Sequence, residues 1–397
     1  MVKKPDAEKP EQRPETRLVT AGRDPFSYHG FVNPPVHHAS TVLYRTADDM
    51  LASRGRYHYG RRGTPTSDAL EQAMAEIEGP ACAGVSLLPS GLNAISSVLL
   101  SVAGVGDHIL VSDSVYQPTR VVCDSVLKRL GVETTYYDPL IGADIVRLFK
   151  PNTKLVFAEA PGSQSFEMQD IPAIVAAAHA KGALVAMDNT WATPIYFRPL
   201  DFDVDLSIQA GTKHISGHAD VMIGMVAASR AAWPQLHKTV GTLGLCVGPD
   251  DVYMTLRGLR TLGVRLARHQ ESALTITRWL AARPEIARVL YPPLESDPGH
   301  AIWKRDFSGG SGLFAVVLKP VSDTSVRAFL DALALFGMGY SWGGFESLVI
   351  PFDCTEYRTA TRWNPGGPTL RFHIGLEDTG DLTADLERGF AALAAAR

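Results

Sequence analysis

The sequence predicts an α/β protein of two main domains, the larger built on a mostly parallel β-sheet with helices on both faces. Three observations carry this. From Ala81 to Ser229 short apolar runs alternate with helical stretches, as parallel strands joined by crossover helices require. A second, smaller α/β pattern fills residues 261–397. A chain of 397 residues is also longer than one compact core usually serves.

Residues 1–62 read as an N-terminal extension and inter-subunit arm. Its first sixteen residues, MVKKPDAEKPEQRPET, are polar and proline-rich and are expected to be a disordered lead-in. They lack the apolar run of a secretory signal, and their acidic residues are wrong for a transit peptide. Residues 63–260 form the larger domain. Its candidate strands are HILVS (108–112), KLVFAE (154–159), ALVAMD (183–188), DLSIQ (205–209) and VMIGMVAAS (221–229), with helices over 116–130 and 170–181 between them. Residues 250–282, apolar at Met254, Leu256, Leu259, Leu262, Leu266 and Leu274, read as one long helix joining the domains. The C-terminal unit carries strands near 312–318 and 369–375 and helices near 322–335 and 380–396.

Composition narrows the partners. A net charge of −4 gives no reason to expect nucleic acid or an anionic membrane. No stretch approaches the ~20 consecutive apolar residues that span a bilayer. Cys82, Cys123, Cys246 and Cys354 are scattered without CxxC spacing, which points to reduced thiols and away from zinc. His37–His38 has no partner at ligand spacing, so no metal is expected. A cytoplasmic location is expected.

In open α/β sheets ligands gather beyond the carboxyl ends of the strands. Ser90–Gly91 open a helix after a strand-like run, Asp188 ends ALVAMD, and Lys213 lies just past DLSIQ. Three strand ends therefore point to one crevice. An isolated lysine would read as a surface charge. Lys213 instead sits in DLSIQAGTKHISGHAD among Ala210, Gly211, Ser216 and Gly217, small residues that admit another molecule close to the backbone. A lysine that forms an imine must be neutral part of the time, which burial and nearby positive charge favour. Thr212 beside it is a candidate phosphate donor.

Asp188 has two readings of equal weight, an N-cap or the partner of a cationic ring nitrogen. Gly91 and the amide of Leu92 fall at a helix N-terminus, where free N–H groups suit a phosphate, although Ser-Gly also serves plain packing. Tyr116 is placed to lie face-on to a planar ring, or is a half-buried surface aromatic. Arg371, between Leu370 and Phe372 on a strand, faces inward and needs an anion. That anion is a substrate carboxylate or a protein carboxylate.

Together these segments resemble the trans-sulfuration (Cys/Met metabolism) family of fold-type I pyridoxal-phosphate (PLP) enzymes, over residues 20–395. The most specific match is the lysine segment, an acidic residue and small residues followed by Thr212–Lys213 and then Gly217–His218. YGRRGTPT (59–66), PSGLNAI (89–95), YQPTR (116–120), MDNTW (187–191) and RFHIGLED (371–378) match in the same order. The resemblance implies the PLP-dependent transferase fold, with a seven-stranded sheet in the cofactor domain. It implies PLP as cofactor, Lys213 as Schiff-base lysine and proton shuttle, Asp188 on the pyridine nitrogen and Tyr116 stacked on the ring. Gly91, Leu92 and Thr212 would bind the phosphate, and Arg371 the substrate carboxylate. Tyr59 and Arg61 would reach the phosphate site of a neighbouring subunit, in a homotetramer with shared active sites. Tyr116 and Tyr59 join Lys213 as candidate catalytic residues. Two departures stand out: Ala210 where the family often has serine, and His214 where it usually has an aromatic residue.

Tyr340, Ser341 and Trp342, which open SWGGFESL (341–348) with Tyr340 before it, are the candidate substrate-binding segment. They resemble the β-lyase members of the family, whereas γ-lyases and γ-synthases typically carry Glu-Ser-Leu-Gly-Gly there. PGSQSFEMQDIP (161–172) resembles the same members. The implied reaction is β-elimination of L-cystathionine to homocysteine, pyruvate and ammonia, a step of methionine biosynthesis. Cleavage of cysteine, cystine or S-alkylcysteines, or methionine γ-elimination, is the alternative on the same scaffold. A non-catalytic binder of PLP or an amino acid is the alternative of another class. A nicotinamide fold is disfavoured, because Gly104–Val105–Gly106 lacks the third glycine of GxGxxG.

Overall fold

The computed structural model describes residues 12–396. Most of the expected lead-in, residues 1–11, lies outside the described residues. Residues 14–16 do not belong to a disordered segment: Pro14–Thr20 form a helix. Leu18 anchors it, 2% exposed within a cluster that includes Leu70 and Met74. One buried leucine per two turns was too thin a signal to stand out against the prolines and charges before it.

The large sheet has seven strands: β1 (Gly84–Leu88), β2 (His108–Ser112), β3 (Glu133–Tyr137), β4 (Thr153–Glu159), β5 (Leu184–Asp188), β6 (Leu206–Gln209) and β7 (Gly224–Ala228). Their order is β1-β7-β6-β5-β4-β2-β3. Strands β6, β5, β4, β2 and β3 pair in parallel, while β7 runs antiparallel between β6 and β1. Burial on both faces explains the near-continuous apolar runs. In β4, Leu155 and Phe157 join one core cluster and Val156 and Ala158 the other.

The helix Pro65–Glu78 shows how local sequence sets an element. Thr64 caps it by accepting from the Ser67 amide, Ser67 returns a bond from the Thr64 amide, and Pro65 occupies the first turn. Its Leu70, Ala73 and Met74 then pack beneath β1 and β7.

The smaller sheet is antiparallel, ordered β10-β11-β9-β8, from β8 (Ile286–Leu290), β9 (Leu313–Leu318), β10 (Leu348–Phe352) and β11 (Thr369–His373). Helices Asp323–Ala332 and Thr379–Ala395 pack against each other beside it. One apolar cluster runs from β4 and β5 into β9 and β11. The four cysteines are unpaired.

Two expectations need correction. The single helix over 250–282 is two, Pro249–Leu259 and Leu262–Ala281. Gly258 sits so close to the 215–216 backbone that a Cβ would meet the Ser216 carbonyl at 2.2 Å. The Gly258 carbonyl takes a bond from the Arg265 guanidinium (2.8 Å), which closes the first helix. The strand over 221–229 begins only at Gly224, because Ile223 bonds Thr212 instead of the sheet.

Candidate active site

Beyond the carboxyl ends of β1, β4, β5 and β6 lies a cavity of about 490 Å³. The structure brings Gly91, Leu92, Tyr116, Asp188, Thr212 and Lys213 to its one wall, and Tyr340, Ser341, Trp342 and Arg371 to the other.

Ser90 caps the helix Gly91–Val102, its hydroxyl accepting from the Asn93 amide at 3.1 Å. The amides of Gly91 and Leu92 therefore open the helix at its positive end, with no helix carbonyl before them. A Cβ on Gly91 would stand 2.6 Å from that of Ala210. The helix start and the lysine-bearing turn meet because residue 91 is glycine.

Asp188 ends β5 in register with Glu159 of β4. Its Oδ1 accepts from the Thr190 amide (3.0 Å) and hydroxyl (2.5 Å), and that hydroxyl accepts from the Ala210 amide (2.9 Å). Oδ2 receives no hydrogen bond from a described residue. Burial raises the Asp188 pKa, against the Thr190 bonds and the Lys213 charge. Glu159 is pushed well above the usual carboxylate range by burial and then by Asp188, and its Oε2 accepts from the Tyr116 amide (2.8 Å).

Lys213 donates from Nζ to Ser341 Oγ at 2.8 Å and lies 5.4 Å from the centre of the Trp342 ring. Burial, then Arg371, lowers its pKa to about 8, with Asp188 opposing. At pH 7 about a tenth of such a lysine is free amine, against under about a thousandth for an ordinary one. Arg371 donates from Nη2 to the carbonyls of Tyr340 (3.0 Å) and Ser341 (3.3 Å), and burial lowers its pKa to about 10. No carboxylate of a described residue pairs with it, so the protein ion pair left open for this arginine does not form.

Four predicted residues behave differently from the rest. Tyr59 and Arg61 line a separate cleft of about 550 Å³, where Arg61 bonds the Gly241 carbonyl at 2.9 Å. The Thr212 hydroxyl is occupied by Ile223, donating to its carbonyl (3.1 Å) and accepting from its amide (2.9 Å). Tyr340 contributes its carbonyl, because its ring is 88% exposed. The sequence reading missed Glu159, Thr190 and the bond from Lys213 to Ser341. Glu159 was findable, since it ends the apolar run KLVFAE as Asp188 ends ALVAMD.

These features are those of a cofactor-dependent amino-acid enzyme, and comparison with known proteins gives the same class. Residues 15–391 match the family model described as Cys/Met metabolism PLP-dependent enzyme. The chain belongs to that family, and its cofactor is PLP. A protein of Rhizobium johnstonii is 56% identical, with 96% of each chain covered. The cystathionine beta-lyase of Salmonella typhimurium is 46% identical over 96% of this chain and 98% of its own. Among solved structures, cystathionine gamma synthase from Xanthomonas oryzae pv. oryzae superposes with a TM-score of 0.89 at 32% identity, covering 98% of this chain and 100% of its own.

The cavity fits the cofactor. A carboxylate with a spare oxygen, a free helix start and a lysine shifted toward its neutral form stand around one space.

Proposed function

We propose that this chain eliminates the β-thiolate of L-cystathionine, giving with water homocysteine, pyruvate and ammonia. The observation that carries the reading is Arg371, a cavity-lining guanidinium that only two carbonyls of the described residues engage, on the same wall as Ser341 and Trp342. A free amino-acid carboxylate is the anion its fork suits. The cystathionine beta-lyase activity named for the Salmonella relative supports the same choice.

Bound PLP supplies an electron sink for the pair left on Cα. In this reading Lys213 would hold the cofactor, Asp188 would serve its ring nitrogen and Tyr116 its ring face. The amides of Gly91 and Leu92 would hold the phosphate, together with Thr212. Arg371 would fix the substrate carboxylate, and the Lys213 amine would take the proton from Cα. Lys213 is already bonded to Ser341, which keeps Nζ on the substrate side. Trp342 walls the space beyond the sulfur, which favours cleavage at Cβ over rotation of a longer chain toward Cγ.

Tyr59 and Arg61 complete a neighbour's phosphate site, so the working unit is an oligomer, a homotetramer built as a dimer of dimers. No helix among the described residues is long and apolar enough to cross a membrane, and we place the enzyme in the cytoplasm. Analysis of the products from cystathionine tests the reading. Pyruvate with homocysteine is expected, whereas 2-oxobutyrate with cysteine as the main products would overturn it.

A further inference from the structure

The residue after Lys213 is His214, a ring fully buried behind the site. Neither of its nitrogens has a hydrogen-bond partner among the described residues. Its nearest rings are Trp342 at 5.3 Å, tilted 59°, then His269 at 5.7 Å and His373 at 5.9 Å. The two other imidazoles give it no bond. His269 Nδ1 is occupied by the Ile374 carbonyl (2.8 Å) and His373 Nε2 by the Gly344 carbonyl (3.1 Å).

A neutral imidazole always keeps one N–H. The indole is the aromatic ring nearest to it, and an N–H directed at an aromatic face is weakly favourable. The backbone makes the contact hard to relax. Arg265 holds the His214 carbonyl at 2.6 Å. On the other side Gly343, with φ +87°, lies so close that a Cβ would stand 2.8 Å from the His214 backbone nitrogen. The Trp342 ring neighbours both groups, its centre 5.4 Å from Lys213 Nζ and 5.3 Å from the His214 ring.

We propose that His214 is a positioning residue for Trp342: its ring backs the indole, and the indole so held sets how long a side chain the site admits. The inference deepens the proposed reading of the cavity and rests on its placing of the substrate side chain against Trp342. With Ala at 214 the indole can settle back into the vacated space, which lengthens the site without touching Lys213, Asp188 or Arg371.

The test is binding, followed through the visible absorbance of the PLP-loaded protein, of L-alanine and L-norleucine, neither of which carries a β leaving group. For His214→Ala the ratio of the norleucine Kd to the alanine Kd is expected to fall about threefold or more, a part of the about 10–200-fold that a pocket methylene is worth. In a Trp342→Phe background the same substitution should change the ratio much less, because the two act through one ring. His214→Phe keeps a ring and is expected to recover most of the native ratio. Should His214→Ala not fold, His214→Gln, which removes the ring and keeps an N–H, is expected to lower the ratio by about twofold or more. An unchanged ratio in the folded variant, or an equal effect with and without Trp342, overturns the proposal. Because the probes undergo no elimination, a wrong product assignment would leave this result standing on its own.

Discussion

The two walls of the cavity are built differently. On the large sheet, Asp188, the Gly91 helix start and Lys213 sit at or just past the ends of β5, β1 and β6, and Asp188 is 8% exposed. Beside the smaller sheet, Tyr340–Trp342 lie on the irregular stretch between the helix Asp323–Ala332 and β10, pinned by Arg371 and His373. Groups at strand ends are fixed by the ladders behind them, and a loop can change residue without disturbing a core. In the proposed reading the cofactor chemistry belongs to the rigid wall, and the choice of substrate to the adjustable one.

Substitutions on the rigid wall should therefore damage the reaction itself. Lys213→Ala is expected to lower turnover by about 10⁴-fold and to remove the visible colour of the PLP-loaded protein. Steady-state kinetics and an absorbance spectrum check both. Asp188→Asn should cost about 10²–10³-fold in kcat, the range found when a charge-stabilising group is removed. Loss of PLP from Asp188→Asn, followed by dialysis, would mean that Asp188 anchors the cofactor more than it tunes it.

On the adjustable wall the effects should fall on binding. Arg371→Leu removes a charged hydrogen-bond donor, about 1.5–3 kcal/mol, so KM should rise about 10–100-fold with a smaller change in kcat. Trp342→Ala should shift the ratio of kcat/KM between cystathionine and S-methylcysteine by about tenfold while leaving PLP affinity unchanged.

The smallest effect is on pH and links the walls. The Lys213 pKa lies near 8 because of burial and Arg371. The amine attacks PLP only when neutral, so the rate of PLP uptake by the cofactor-free protein should rise with pH through a midpoint near 8 and level off about a unit above it. Arg371→Leu removes the nearby positive charge, raises the Lys213 pKa and moves that midpoint upward. A midpoint near 10 in the native chain would remove the argument for a burial-tuned lysine.

The sequence showed the rigid wall better than the adjustable one. HILVS and its neighbours are long apolar runs buried on both faces, so their ends, and with them Asp188 and Lys213, could be placed to within a residue or two. The Lys213–Ser341 bond joins residues 128 apart across two sheets, and no periodicity reports such a contact. Ile223 left the strand pattern for the same reason, since its partner Thr212 is a tertiary choice. The break at Gly258 depends on a backbone contact with Ser216 that the heptad-like leucines on either side conceal.

The most direct test of the account is to find which lysine carries the cofactor. The PLP-loaded protein would be reduced with borohydride, digested, and the pyridoxyl-bearing peptide sequenced by mass spectrometry. The account predicts a single modified site at Lys213. Modification of any other lysine, or none at all in a coloured sample, would contradict it.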